Sequence, residues 1–283
     1  RILVVEMNMG MMVNEIARVA CHASVESVPK VAGEVHHSNE ILERIREVYR
    51  GSRKTYGSPR ITNALNEQGI GCGKNRVARR MRDAGLRSKV RRKYRVTTDS
   101  KHHFPVSPNV LERNFTAQAP DMVWVSDITY LATTTGWLYL TVIIDVFSRM
   151  VVGWALSSSL GHEMVVTALK RAIRRRRPGK GVIFHSDRGV QYACGGFRKE
   201  LAKHEFIQSM SRKGDCWDNA VSESFFAVMK TELVYHERYE GHQDTLHSIF
   251  EYIEVFYNRQ RRHSTLEYLC PSEYEKQKLR LCA

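Results

Sequence analysis

The chain has 283 residues, 42% of them hydrophobic, which is enough apolar material for one large domain with appendages or two to three small ones and excludes a disordered chain. No apolar run approaches the roughly 18 residues that span a bilayer, and the opening RILVVEMNMGMM lacks the order of a secretory signal, so a cytoplasmic protein without a membrane partner is expected. A formal net charge of +14, from 44 basic and 30 acidic residues, points to a polyanion as partner.

Residues 1–38 show no clear period and are expected to form a weak helix plus linker. From Asn39, the apolar positions Ile41, Leu42, Ile45 and Val48 predict a helix ending near Gly51. The stretch YGSPRITNALNEQG predicts a second, with Ser58 as cap, Pro59 in its first turn and Gly69 closing it. A third runs from about Lys74 to Ala84, stopped by Gly85, with Val77, Ala78 and Met81 inward and Arg76, Arg79, Arg80 and Arg82 largely outward. Residues 39–87 thus form a helix-turn-helix-like unit whose Arg76, Arg79 and Arg80 are candidate DNA contacts; a basic bundle that reads no groove fits the same spacing. Between Lys74 and Arg95 eleven Lys or Arg face one acid, Asp83. Residues 88–119 are basic, then proline-containing, and read as a linker.

Beyond the linker the period changes to two. MVWVSDITYLA, GWLYLTVIIDVF and MVVGWALS predict three antiparallel strands, followed by a helix from about His162 to Arg177 with Val165, Leu169, Ala172 and Ile173 on its inner side. Its four terminal arginines suit a helix C-terminus through the dipole and need no partner. A strand at 182–185, a helix near 196–204, a strand at 206–210 and a helix from Asn219 to Leu233 complete a βββαβαβα order over residues 120–235, a five-stranded mixed sheet with helices on its faces. Residues 236–283 form a helical extension, whose helix at 242–258 carries Leu246, Ile249, Phe250, Ile253, Phe256 and Tyr257 as a core stripe.

The cysteines (Cys21, Cys72, Cys194, Cys216, Cys270, Cys282) include no CxxC pair, so reduced thiols are expected. The pairs His36/His37 and His102/His103 have no cysteine at ligand spacing and are expected in solvated loops.

Three carboxylates stand out. Asp127 sits in mid-strand, on the face of Val123, Val125 and Thr129, where an acid is costly unless partnered. Asp187 ends the apolar strand VIFHS. Glu223 shares a helical face with Asn219 and Lys230, at four and seven positions. Singly, each has an ordinary explanation: a bulge cap, a turn starter, an exposed helix residue. Jointly, carboxylates from a central strand, a neighbouring strand end and a helix laid on the sheet call for a hard divalent cation, Mg²⁺ or Mn²⁺. Two such ions suit in-line phosphoryl displacement. Lys230 would contact a phosphate or a base. Asp145 reads as a turn residue, and Asp215 and Asp218 as caps of the following helix.

WVSDITYL, HSDRGVQY and DNAVSESFFAVMK resemble the three acidic motifs of the retroviral integrase-type core, with 35 residues between Asp187 and Glu223 and a basic residue seven further on. YGSPRI, FSRMVVGWA, KGDCWDNAVSESFF and EYIEVFYNRQRRHSTLEYLCP resemble the larger reading-frame product of insertion-sequence transposases of the IS-three family, over roughly residues 39–276. The resemblance implies a ribonuclease H-like α/β core, catalysis and metal holding by Asp127, Asp187 and Glu223, and two steps on double-stranded DNA. An element end is cut to free a 3′ hydroxyl, which then attacks another phosphodiester. It also implies a homo-oligomer on DNA, a bacterial, nucleoid-associated setting, and fusion to or partnership with an upstream-frame helix-turn-helix protein, which a chain starting at Arg1 would suit. Asn219 and Arg188 join Lys230 as candidate DNA contacts near the trio, with His185 and Gln191 weaker. Asn258, Arg259, Arg262 and His263 fit either DNA contact or closure of the fold. Two rivals are kept: a nuclease of the same fold that cuts without joining, and an inactive DNA-binding regulator.

Overall fold

The structure, a computed structural model, describes residues 2–6, 25–29, 38–89, 106–112, 116–212 and 219–281. Strands β1 (Ile2–Glu6) and β2 (Val25–Pro29) pair in parallel, where a weak helix was expected; β-branched Ile2, Val4, Val5, Val25 and Val28 favour strand over helix. The expected His pairs, Cys21, Cys216, Cys282, Asp215, Asp218 and most of the basic linker lie outside the described residues.

Helices α1 (Ser38–Gly51), α2 (Ser58–Glu67) and α3 (Lys74–Asp83) close on a core of Ile41, Ile45, Tyr49, Ile61, Leu65, Val77 and Met81. Gly57 is the N-cap of α2, so Ser58 is its first residue and not its cap. Gly69 and Gly85 end α2 and α3 at φ +81° and +67°, the left-handed turn that returns Ile70 N–H to the Leu65 carbonyl and Leu86 N–H to that of Met81.

The second unit is a five-stranded sheet of order β5-β4-β3-β6-β7: β3 (Val123–Thr133), β4 (Gly136–Asp145), β5 (Val151–Ser157), β6 (Ile183–Ser186) and β7 (Ile207–Met210). The first three pair antiparallel, and β6 and β7 add in parallel beside β3. Alternation sends Trp124, Ile143, Val152 and Phe184 to one face, under α4 (His162–Arg176), α5 (Val190–Ala193) and α6 (Gly195–Lys203). Gly153 lets α4 approach: a Cβ there would stand 2.5 Å from the Ala168 carbonyl oxygen. Val125, Val142 and Ile144 face the other way, against Phe225, Phe226 and Met229 of α7 (Ala220–Glu232) and the side chains of α8 (His242–Phe250). Among the described residues no helix is long and apolar enough to cross a membrane.

Two expectations are corrected. The long last helix switches after Phe250 to a π-helical turn, Glu251–Tyr257, with Arg261 N–H bonded to the Phe256 carbonyl five residues back. The wider turn brings Tyr252, Ile253, Phe256 and Tyr257 inside and leaves Phe250 50% exposed, not in the stripe. The arginines ending α4 do have partners: Arg175 pairs with Glu254, and Arg176 with Asp121 and Glu275. The last of these lies on α9 (Pro271–Leu281), so a terminus favoured by the dipole also ties the C-terminal helix to the sheet.

The helical unit docks on the segment after the π turn. Arg262 donates to Asn63 and pairs with Glu67, its backbone N–H bonds the Tyr56 hydroxyl, and Lys89 donates to the Glu232 carbonyl. Asn258 is buried and exchanges two hydrogen bonds with the Val151 backbone. Asn258 and Arg262 therefore close the fold.

Candidate active site

Asp127 lies on the α7 face of β3. The parallel register sets Val125 opposite His185, and carrying it on by two residues puts Asp187, just past the end of β6, level with Asp127. Neighbouring strands are about 4.8 Å apart, so two carboxylates stand side by side at the sheet's centre. Glu223 comes from the first turn of α7, packed across β3, and is exposed.

Asp127 accepts a hydrogen bond from the Ile128 N–H at 2.8 Å, and Asp187 accepts from the Gly189 N–H at 2.9 Å, so Asp187 is also the turn starter its position suggested. Burial first, then the negative charges of Asp187 and Glu223, push the Asp127 carboxyl well above the usual carboxylate range, against the Ile128 bond and Lys230. Partial burial also raises Glu223. Below the site Tyr192 is fully enclosed, its hydroxyl 2.8 Å from Ser126 Oγ; burial, Asp127 and Asp187 all hold its proton on. Nothing in the stretch GVQY marks Tyr192 as reaching across to Ser126 of β3 and Thr141 of β4, so this floor is not legible in the sequence.

The candidate DNA contacts divide. Lys230 is 8% exposed, with its ammonium in reach of Asp127 and not presented to solvent as expected; burial lowers its pKa and Asp127 raises it. Asn219 is a buried tie and not an open contact: its side-chain amide donates to the Ser126 carbonyl at 3.2 Å and fixes the start of α7 beside Asp127. Arg188 is half-buried and donates to the Ser211 carbonyl, His185 is buried against Ser209, and Gln191 donates to the Leu160 carbonyl. On α3, Arg79 is exposed, whereas Arg76 and Arg80 are half-buried. Asp145 is the expected turn residue, accepting from Ser148 and from the Asp121 N–H.

Among the described residues no three His, Cys, Asp or Glu side chains stand close enough to hold an ion as they are. Asp127, Asp187 and Glu223 share an electrostatic neighbourhood without forming a closed coordination shell. In donor chemistry they fit a hard divalent cation: all are oxygen ligands, and burial with the neighbouring carboxylates holds the Asp127 carboxyl well above its usual range.

The integrase core domain family matches residues 117–216, a second integrase core domain family residues 223–279, and an HTH-like domain family residues 36–94. Over 240 residues the chain is 43% identical to the insertion element IS600 uncharacterized 31 kDa protein of Shigella sonnei, covering 84% of this chain and 88% of that one. It is 42% identical over 228 residues to the transposase InsF for insertion sequence IS3A of Escherichia coli (strain K12), covering 81% and 79%. The chain belongs to the IS3 family of insertion-sequence transposases. Among solved structures, a chain of the simian T-cell lymphotropic virus intasome in complex with PP2A regulatory subunit B56 gamma aligns with 82% of this chain at 13% identity and a TM-score of 0.49. As an IS3-family transposase with an integrase core, the protein is a DDE polynucleotidyl transferase, and its five-stranded mixed sheet is the ribonuclease H-like core that carries such chemistry.

Proposed function

We propose that Asp127, Asp187 and Glu223 are the metal-holding catalytic residues of this transposase and that it cuts and joins DNA strands. The observation that carries this is the concentration of carboxylate charge at Asp127, on a strand register that places Asp187 beside it. Two divalent ions, Mg²⁺ or Mn²⁺, when bound supply charge neutralisation and a lowered pKa for the attacking oxygen. The chain's own residues do the rest. Asp127 and Asp187 fix the rigid half of the cradle, and Glu223, exposed at the start of α7, closes it. Lys230, on α7, compensates Asp127 from the same face of the sheet. In the first step water adds to phosphorus at the element end and the 3′ oxygen leaves as a hydroxyl. In the second, that hydroxyl attacks another phosphodiester and displaces its 3′ oxygen, so one bond forms for each broken and no covalent enzyme intermediate arises.

Double-stranded DNA at element ends and target is the substrate, with Arg79 of α3, flanked by Arg76 and Arg80, meeting it in the helix-turn-helix-like unit of residues 39–87. The basic linker 88–119, the core 120–235 and the extension 236–283 complete the proposed division, with a homo-oligomer on DNA, a cytoplasmic, nucleoid-associated setting and an upstream-frame partner. Incubating the purified chain with Mg²⁺ and labelled element ends tests this: cleaved and joined products are expected. Asp187→Asn is expected to lose at least about 10³-fold in rate, roughly 4 kcal/mol of transition-state stabilisation, with DNA binding kept. Cleavage unchanged in that variant overturns the assignment, and hydrolysis without joined product favours the nuclease.

A further inference from the structure

The hairpin of β3 and β4 runs on past the carboxylate site and carries an aromatic surface. Alternation puts Tyr130 of β3 on one face with Tyr139 and Trp137 of β4: Tyr130 lies opposite Tyr139, and Ala132, two residues on, lies opposite Trp137. Tyr130 meets both neighbours edge to face. Its ring centroid is 5.2 Å from that of Tyr139 at 73° and 6.3 Å from that of Trp137 at 84°. Helices cover this face of the sheet as far as Ile128 and Tyr139, which pack against its core. Tyr130 and Trp137 are left 38% and 58% exposed, two rings at a right angle that make a corner.

The corner is held in place. The Thr134 N–H and hydroxyl donate to the Tyr239 and Glu240 carbonyls at 2.9 and 2.8 Å, and the Thr133 hydroxyl donates to the Gly136 carbonyl, which ties the hairpin tip to itself and to the segment after α7. It also adjoins the carboxylate site. β6 pairs with β3 only as far as Val125, so from Asp127 onward that side of β3 has no strand beside it among the described residues. Tyr130 and Asp127 point to opposite faces, but at this open side the chain turns through Asp187, whose charge reaches both. Burial and then Asp187 raise the pKa of Asp127; burial, Tyr139 and then Asp187 raise that of Tyr130. Three residues of strand separate Tyr130 from Asp127 by about 10 Å.

Size and charge decide what fits. The two rings together expose on the order of 200 Å², far short of the roughly 800 Å² per partner of a stable protein interface. A nucleobase is flat, of matching size and neutral. It needs no countercharge, so the acids of this region, Asp187 and Glu240, do not oppose it as they would a phosphate. In a duplex the faces of each base are already covered by its neighbours, so a free face belongs to an unpaired base.

We propose that Tyr130 and Trp137 form a stacking corner for one unpaired base of the DNA strand whose scissile phosphate lies at the carboxylate site. The base lies on the Trp137 ring with Tyr130 upright at its edge. Stacking on an aromatic ring tolerates every base, so the corner selects the unpaired state and not a sequence. The inference rests on the strand cleavage and joining proposed above and adds a substrate preference to it: DNA already open beside the cut is bound more tightly than the same duplex fully paired, because no pair has to be broken first.

The test is fluorescence anisotropy of two labelled element-end duplexes with the full chain across a salt series, one fully paired and one mismatched at the base pairs flanking the cut. Mg²⁺ is left out, so that binding is read without cleavage. Wild type is expected to bind the mismatched duplex about tenfold more tightly, Trp137→Ala and Tyr130→Ala to lose that preference, and Trp137→Phe to keep most of it. The slope of log K against log salt is expected to stay the same in all four, because no phosphate contact is removed. Melting each variant keeps misfolding apart from lost stacking; if one alanine variant melts early, the other decides. Equal wild-type affinity for the two duplexes, or a preference that survives in the folded alanine variants, overturns the corner. A salt slope that falls in a folded variant makes the contact a phosphate one and overturns stacking. Light scattering without DNA tests a second copy as occupant: variants that dissociate an oligomer while keeping the duplex preference overturn the corner as well. Wild-type cleavage and joining with Mg²⁺ are run alongside. If both proceed without a preference for the open duplex, only the corner fails; if wild type neither binds nor cuts, the proposed function falls with it.

Discussion

The two ends of α7 carry buried charge in opposite conditions. At its C-terminal end, Glu232 is 6% exposed and fully answered: Arg261 donates three hydrogen bonds to its two oxygens and the Tyr252 hydroxyl a fourth. Beside its first turns, Asp127 receives one backbone N–H and has Lys230 in reach, yet faces two more carboxylates. Burying charge is costly in both places, but only the first cluster is complete with the chain's own residues. The difference separates a pair that holds the fold from a group that waits for a ligand, and it explains why an acidic residue on this helix is no guide to function by itself.

The comparison can be broken from either side. Arg261→Ala leaves Glu232 buried without its countercharge and is expected to cost about 3–5 kcal/mol of stability in urea unfolding. A loss under about 1 kcal/mol means the pair is not holding the extension in place. Asp145 is an intermediate case, fully buried yet accepting three hydrogen bonds, its pKa pushed by burial from 3.8 up to about 6. Because the folded form binds the proton more tightly, its contribution is complete below pH 4 and is lost as pH rises through about 6. The loss amounts to up to about 3 kcal/mol relative to Asp145→Asn. Unfolding the two proteins between pH 4 and 7 checks the sign; a gap that moves the other way means the bonds from Ser148 and Asp121 outweigh burial. Smallest of the three, Asp127→Asn without metal is expected to gain about 1–2 kcal/mol by relieving like-charge repulsion, and a loss of stability there makes Asp127 a structural acid.

Much of the sheet was legible because alternation fixes the faces of β3 and β4, and the trio was legible because an acid in mid-strand conflicts with its surroundings. What stayed hidden depends on long-range or backbone choices. Phe250 fits the helical stripe as well as Ile253 does, and only the π turn, a change in hydrogen bonding with no signature in apolar spacing, turns it outward. Arg175 and Arg176 look like a dipole-complementing run until Glu254, Asp121 and Glu275 arrive from distant segments. Asn219 and Lys230 were placed on the correct helix, but spacing does not say that both turn inward.

The carboxylate cluster around Asp127 is tested most directly by melting the metal-free protein while Mg²⁺ or Mn²⁺ is titrated in, for wild type and for Asp187→Asn. Binding to the folded form alone raises stability by RT ln(1 + [M]/Kd), so the wild-type melting temperature should climb with metal and that of the variant should stay nearly flat. A wild type that ignores the ions, or a variant that climbs equally, contradicts a metal cradle built on Asp127, Asp187 and Glu223.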